Sequence, residues 1–165
     1  MPPAGLTVPL GGATIRPQSG SWPVDFETVT PEDFGRSLKG IGLNILVRDV
    51  RAEAAFLAQV FNMKAHRLSD NFAIITYHGK IFQLHADPTY GSNPLLSLLP
   101  EAGPRGAGAE FRLYETDPDE AAARAALWPD ALVLQAPANK PHGLRECYIL
   151  CANGYAWVPS RRLQD

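Results

Sequence analysis

A loose internal repeat is the feature of this chain that most limits its fold. Residues 46–55 and residues 114–123 follow the same order, which is an apolar strand-like run, an Asp that can cap a helix, and an Ala-rich stretch. After each Ala-rich stretch come two β-prone runs that meet at a Gly. Two similar halves in 165 residues predict paired modules that face each other and share one central cavity.

Size and charge exclude several classes of function. A chain of 165 residues with 45% hydrophobic residues is long enough for one domain with its own core. Its net charge of −2 offers no excess positive charge to nucleic acid or to an anionic membrane. No apolar run approaches the roughly 20 residues that span a bilayer, and residues 1–5 lack the basic start of a signal peptide. We therefore expect a cytoplasmic protein with neither a nucleic-acid nor a membrane partner.

Residues 1–38 are expected to be a Pro/Gly-rich N-terminal extension. Thr30 followed by Pro31 predicts a short helix near residues 31–38, because a cap residue precedes a proline at the first helical position. Aromatic side chains suggest that part of the extension packs onto the body or onto a second subunit, while a partly disordered leader is an equal alternative for residues 1–20. The aromatic residues in question are Trp22, Phe26 and Phe34.

The rest of the chain is predicted to be an α+β domain over residues 39–160, with two βαβββ modules that form a cupped mixed sheet around a central groove. Alternating apolar residues predict a first strand in each module. Asp49 caps the first helix, and Asn62 suits a left-handed position at its end. The Asn153-Gly154 pair is a strong hairpin signal. The predicted boundaries are module one at residues 40–87, a linker at residues 88–107 and module two at residues 108–160.

This order of elements resembles the vicinal oxygen chelate superfamily, which contains glyoxalases, bleomycin resistance proteins and extradiol dioxygenases. A G-x-R-E pattern at residues 143–146, followed by N-G-Y at residues 153–155, looks most like the glyoxalase-like or bleomycin-resistance-like branch. The resemblance covers about residues 40–160 and leaves the N-terminal extension unexplained. It implies a homodimer, since members of this branch usually build or complete their grooves by pairing.

In the superfamily, four inward-facing side chains hold a divalent metal, and two of the matching positions here carry no metal-binding group. These two positions fall on Gly42 and Val158, while the other two fall on Gln83 and Glu110. One carboxylate and one amide are too few ligands for a catalytic divalent metal, so we predict no cofactor and no catalytic metal. The alternative is zinc, nickel, manganese or iron held by Gln83, Glu110 and His85, the last of which shares a strand face with Gln83.

Without a metal, the remaining groove residues suggest a pocket for a small, polar organic molecule. Strand alternation places Gln83 and His85 on one face, and it groups Glu110 with Arg112 and Tyr114. Burial would allow Glu110 to serve as a general base. Two alternatives stay open, namely that Glu110 and Arg112 pair with each other and that His85 is a hydrogen-bonded structural residue. The predicted ligand-binding residues are Asn44, Gln83, His85, Glu110, Arg112 and Tyr114.

The resemblance allows three kinds of function. The first is a small-molecule-binding protein without a catalytic metal, as the antibiotic-resistance members are. The second is a metal-dependent lyase, isomerase or dioxygenase. The third is a non-catalytic structural or regulatory protein whose groove is filled by its own N-terminal extension. The missing metal ligands favour the first.

Overall fold

The chain folds into two copies of a βαβββ unit, which confirms the predicted α+β class. The computed structural model describes residues 24–106 and 108–163, and a short helix precedes the first unit. Two 3₁₀ turns, Asp87–Tyr90 and Pro94–Leu98, lie between the units. In chain order the other elements are α1 (Pro31–Ser37), β1 (Asn44–Val47), α2 (Val50–Phe61), β2 (Lys64–His66), β3 (Phe72–Tyr77), β4 (Lys80–Ala86), β5 (Glu110–Tyr114), α3 (Pro118–Ala125), β6 (Leu132–Asn139), β7 (Leu144–Leu150) and β8 (Ala156–Arg162).

The helices begin and end where local chemistry favours it. The Asp49 carboxylate accepts a hydrogen bond from the backbone of Ala52 at 2.9 Å and so caps α2. Asn62 ends this helix with φ of 59°, the left-handed conformation that an asparagine tolerates better than most residues. The α3 helix starts in the same way after Asp117. Within the described part of the chain, no helix is long and apolar enough to cross a membrane.

The strands form two separate four-stranded sheets with matching topology. Their orders are β1-β4-β3-β2 and β5-β8-β7-β6, and the first strand of each runs parallel to its neighbour. Asn44 lies opposite Gln83 in the first sheet, and Arg112 lies opposite Val158 in the second. The two sheets can therefore be compared position by position, with β1 and β5 as equivalent edge strands.

The two modules contact each other on the sides that carry the helices. Phe82 of β4 and Phe111 of β5 both contact Trp157 of β8, with ring centroids 6.0 and 4.7 Å apart. Phe61, at the end of α2, lies 5.8 Å from the same indole ring. These side chains belong to one apolar core that both modules share. The opposite faces of the sheets are called the outer faces below.

Residues 24–38, called the cover segment below, lie on the outer face of module one. Phe26 and Phe34 are buried against Ile74, which points away from the helix side of β3. A carboxylate oxygen of Glu27 also lies 3.1 Å from Nδ1 of His66 on β2. The extension thus packs onto the body of its own chain. The expectations for residues 1–20 and for Trp22 lie outside the described residues.

The turn between β7 and β8 covers the free edge of β1. Asn153 accepts a hydrogen bond from the backbone N–H of Arg48 at 2.9 Å and donates one to the Glu53 carboxylate at 2.6 Å. The Tyr155 hydroxyl donates to the Leu46 carbonyl at 2.9 Å. Glu53 is 2% exposed, and burial raises the pKa of its carboxyl group. This contact joins the two modules along one seam.

The linker strengthens this seam. The backbone N–H groups of Arg105 and Gly106 both donate to the Asn153 carbonyl at 2.8 Å. The Arg105 guanidinium pairs in a forked geometry with Asp87, which holds the pKa of that carboxyl below its usual range. A side chain at Gly106 would collide with the Tyr155 ring, because its Cβ would lie 2.3 Å from a ring carbon. The linker therefore packs as tightly as a core element here.

Candidate functional site

A cavity that is partly open to solvent lies between the end of the cover segment and strand β4. Its volume is about 370 Å³, and its walls are mostly apolar. Leu38 and Ile81 contribute hydrocarbon surface, and Gln83 contributes an amide. Gly42 also lines the cavity, and a Cβ added at Gly42 would meet no heavy atom within 4 Å. Two of the four positions that match metal ligands of the superfamily, Gly42 and Gln83, thus border this cavity.

His85 lies on the same outer face as Gln83 but is packed among aromatic rings. Its imidazole centroid is 5.1 Å from the ring of Phe72 and 5.3 Å from that of Tyr90. Burial lowers the pKa of His85, so the neutral imidazole is favoured near neutral pH. Asn44 donates a hydrogen bond to the Tyr90 hydroxyl at 3.3 Å. These contacts bring Asn44 close to His85, whose buried Nε2 has no hydrogen-bond partner among the described residues.

The outer face of module two carries a charged cluster centred on Arg112. This guanidinium bonds to the Glu110 carboxylate at 2.9 Å and also to Glu146, which is 2% exposed. The hydrogen bond to Glu110 foremost, and also the nearby charge of Glu146, raise the pKa of Arg112. His142 places Nε2 3.4 Å from the same Glu146 carboxylate. Glu110 and Arg112 therefore pair with each other, as one of the two sequence interpretations held.

The structure does not supply the burial that a general base at position 110 requires. The Glu110 side chain is 44% exposed and is ion-paired with Arg112. Glu146 is the buried carboxylate of this face. Arg145 and Glu146 are adjacent on β7 and point to opposite faces, and the sequence alone does not show which of them lies on the outer face. Arg145 points to the helix side, where it pairs with Asp119 near the start of α3. The place of Glu146 on the outer face follows from a strand register opposite Ser160 that the sequence alone does not give.

The predicted ligand-binding residues form two groups that do not meet within one chain. Asn44, Gln83 and His85 lie on the outer face of module one, whereas Glu110, Arg112 and Tyr114 belong to β5 in module two. In residues 24–106 and 108–163, no hydrogen bond, ion pair or ring contact joins a member of one group to a member of the other. The reason is that the two modules contact each other on their helix-bearing sides.

The donor set does not fit the chelated divalent metal that the superfamily resemblance implies. Gly42 has no side chain, and Val158 is a fully buried hydrocarbon side chain. Glu110 is held by Arg112, on a different face from Gln83 and His85. Among the residues that the structure describes, no three His, Cys, Asp or Glu side chains form a cluster that could hold a metal ion. No chemical step is therefore assigned to a metal.

Comparison with solved structures finds proteins that share this fold at low sequence identity. A glyoxalase/bleomycin resistance protein/dioxygenase family enzyme from Burkholderia phytofirmans PsJN matches with a TM-score of 0.58 and 20% identity, over 74% of this chain and 97% of that one. A lactoylglutathione lyase from Agrobacterium tumefaciens matches with a TM-score of 0.53 and 22% identity, over 74% and 92% of the two chains.

A glyoxalase/bleomycin resistance protein/dioxygenase from Nocardioides covers more of this chain, 81%, with a TM-score of 0.57 and 17% identity over 92% of its own length. No protein-family model and no curated protein matches the sequence. Repeated βαβββ units, matching sheet orders and these structural neighbours agree. The chain therefore has the same paired-module fold as these solved glyoxalase/bleomycin resistance/dioxygenase structures.

Proposed function

We propose that this protein binds a small organic molecule without a chelated metal, in the cavity between the cover segment and β4. The observation that carries the proposal is the cavity itself, whose volume of about 370 Å³ lies within the range of small-molecule sites. Its apolar walls suit a hydrocarbon or aromatic body, and the Gln83 amide supplies one donor and one acceptor to orient it. The cover segment borders this space without filling it.

Filling the cavity at Gly42 tests this proposal. Gly42→Leu places a side chain where the backbone leaves room, so the fold should survive while the cavity is lost. Gly35→Leu is the matched control, because a Cβ at Gly35 also meets nothing within 4 Å and Gly35 does not border the cavity. The probe is the apolar fluorophore 8-anilinonaphthalene-1-sulfonate, located by the amide shifts that it causes in NMR spectra.

The expected result is that the fluorophore shifts the amides of residues 40–43 and 81–83. Its affinity should fall at least tenfold in Gly42→Leu, which corresponds to about 1.4 kcal/mol, and stay within about twofold in Gly35→Leu. Equal affinity in the Gly42→Leu variant and the unaltered protein would overturn the proposed site. So would shifts that avoid both segments.

We also propose a homodimer in which the outer face of module two from one subunit approaches the outer face of module one from the other. This proposal is supported by the separation of the two residue groups within one chain, since pairing of subunits would bring them together. Exposed apolar residues are available on both sides, because Ile41 is 100% exposed and Tyr114 is 59% exposed. Arg112 and Glu110 would then supply polar contacts at the rim of the cavity in the partner.

Sedimentation equilibrium with two single variants tests the dimer. Tyr114→Arg puts an extra positive charge beside Arg112 on the proposed interface, and should weaken dimerisation at least tenfold, or by about 1.4 kcal/mol. Leu127→Arg is the matched control, since Leu127 is 87% exposed and follows α3, away from both outer faces. A monomeric unaltered protein, or equal effects of the two variants, would rule out this interface.

A further inference from the structure

A second pocket, called the β5-edge pocket below, lies where the outer edge of β5 meets the turn between β3 and β4. Its volume is about 390 Å³, and its walls are mostly apolar. Every residue of β5, Glu110–Tyr114, borders it, so one wall is the backbone edge of the strand and not just one of its faces. Phe82 is the single residue that borders both this pocket and the cavity beside the cover segment. The pocket is therefore a separate site on the helix-bearing side of the sheets.

Aromatic rings form the floor of the β5-edge pocket. Phe82, Phe111 and Trp157 all border it, and the Trp157 ring contacts those of Phe82 and Phe111 at centroid distances of 6.0 and 4.7 Å. Met63 adds a thioether, which packs favourably against ring edges. A flat ring that entered here would meet aromatic faces and edges on several sides, an arrangement that stabilises ring contacts beyond simple burial.

The internal duplication shows what fills the equivalent edge in the other module. Gly79 and Gly154 occupy equivalent hairpin turns, with φ of 69° and 80°. The residue that follows Gly154 is Tyr155, whose ring covers the edge of β1 and whose hydroxyl bonds to the Leu46 carbonyl at 2.9 Å. The residue that follows Gly79 is Lys80, which is exposed and provides no ring. The β5 edge thus lacks the aromatic side chain that closes the β1 edge.

We propose that the β5-edge pocket binds a flat aromatic compound with a hydroxyl donor, a ligand of the phenol class, in the place equivalent to the Tyr155 side chain. The ring lies on the aromatic floor, and the hydroxyl donates to the backbone edge of β5. The Tyr114 carbonyl is the equivalent of the Leu46 carbonyl by strand register. It accepts a bond from the Thr116 hydroxyl at 3.3 Å and keeps a second lone pair for a ligand. This proposal does not depend on the cavity at Gly42.

The test compares two probes on the unaltered protein by NMR. The first probe is p-cresol, which is the tyrosine side chain without its backbone. The second is 4-methylanisole, which keeps the ring but has no hydroxyl donor. We expect p-cresol to shift the amides of residues 110–115 and 78–82, and 4-methylanisole to bind about fivefold more weakly, as the loss of one hydrogen bond implies. Saturating p-cresol that leaves residues 110–115 unshifted, or that shifts residues 40–43 instead, would overturn the proposal.

A self-filling variant sharpens this test. Lys80→Tyr supplies the missing ring at the position equivalent to Tyr155, so it should abolish the shifts that p-cresol causes at residues 110–115. Lys64→Tyr is the matched control, because Lys64 is an exposed lysine on β2 that does not border the β5-edge pocket. It should bind p-cresol within about twofold of the unaltered protein. Unchanged binding to Lys80→Tyr would contradict the proposal, and the mapping on the unaltered protein decides the matter even if this variant does not fold.

Discussion

The edges of β1 and β5 are equivalent by topology and differ completely in how they are covered. Along β1, Asn153 and Tyr155 bond to the backbone, and the linker packs over both. Along β5, Lys80 stands where Tyr155 stands on the other side, and a pocket of about 390 Å³ remains. The duplicated fold therefore provides two equivalent edges, and the residue after the turn glycine covers the β1 edge but leaves a pocket at the β5 edge.

The difference also shows where the two modules are held together. The covered edge carries the buried Glu53 carboxylate, the forked Arg105–Asp87 pair and the tight contact at Gly106. At the β5 edge the equivalent polar contact is a hydrogen bond between the hydroxyls of Tyr77 and Thr116 at 2.5 Å. Substitutions at the β1 edge should therefore cost stability, whereas equivalent substitutions at the β5 edge should be mild.

Tyr155→Ala should have the largest effect. It removes a ring that is 7% exposed together with its hydrogen bond to Leu46, so the free energy of unfolding should fall by about 3–5 kcal/mol in urea denaturation. Tyr155→Phe keeps the ring and should cost about 1 kcal/mol. Because Tyr155→Ala turns the β1 edge into a copy of the β5-edge pocket, p-cresol should restore part of its lost stability. If Tyr155→Ala lowered the free energy of unfolding by less than about 1 kcal/mol, the proposed difference between the β1 and β5 edges would be wrong.

Alanine at the two turn glycines should have unequal effects. Both Gly79 and Gly154 have positive φ, so either substitution strains the backbone by about 1–2 kcal/mol. At Gly154 the new Cβ would also lie 2.4 Å from Pro104 Cβ and 2.8 Å from the Gly106 carbonyl oxygen, whereas at Gly79 it meets nothing within 4 Å. Gly154→Ala should therefore lower the free energy of unfolding by about 1–3 kcal/mol more than Gly79→Ala does. Thermal denaturation of the two variants side by side measures the difference, and equal melting temperatures would contradict it.

Glu53→Gln should give the smallest change, and one that depends on pH. Burial raises the pKa of Glu53 above 4.5, so the folded protein keeps a proton that the unfolded chain releases. The free energy of unfolding should therefore fall as pH rises from about 4.5 to the raised folded pKa, and then level off. Glutamine does not titrate, so the pH dependence should disappear, and its amide oxygen can still accept the hydrogen bond from Asn153. Urea denaturation at several pH values between 4.5 and 7.5 measures the free energy of unfolding of both proteins. If this free energy changes with pH equally in both, Glu53 does not cause the pH dependence.

The sequence was sufficient to predict the repeated elements, because their signals are local. Asp49 and Asn62 bound α2 as their capping chemistry requires, and the Asn153-Gly154 pair forms the turn between β7 and β8. Alternation also grouped the side chains of β4 and β5 by face correctly. Each of these inferences depends on residues within a few positions of one another.

The arrangement of the two modules could not be predicted, because it depends on contacts between distant residues. Asn153 and Glu53 are 100 positions apart, and Tyr155 bonds to a carbonyl 109 positions away. Alternation gives two faces for each sheet but does not say which face meets the other module. The expected convergence of Gln83 with Glu110 assumed that the outer faces meet within one chain, and here the modules contact each other on their helix-bearing sides instead. How the predicted ligand-binding residues act therefore stays a prediction that depends on the proposed dimer.

The covered β1 edge has a consequence for either half of the molecule produced alone. A free-standing module one would lose the turn that seals β1 and expose a row of unpaired backbone groups next to an unshielded carboxylate at Glu53. Exposed strand edges of this kind pair with strands of other chains and lead to aggregation. The second copy of the repeat thus covers an edge that the first leaves open, and we expect a separately produced first module to stay soluble only when the second is produced with it.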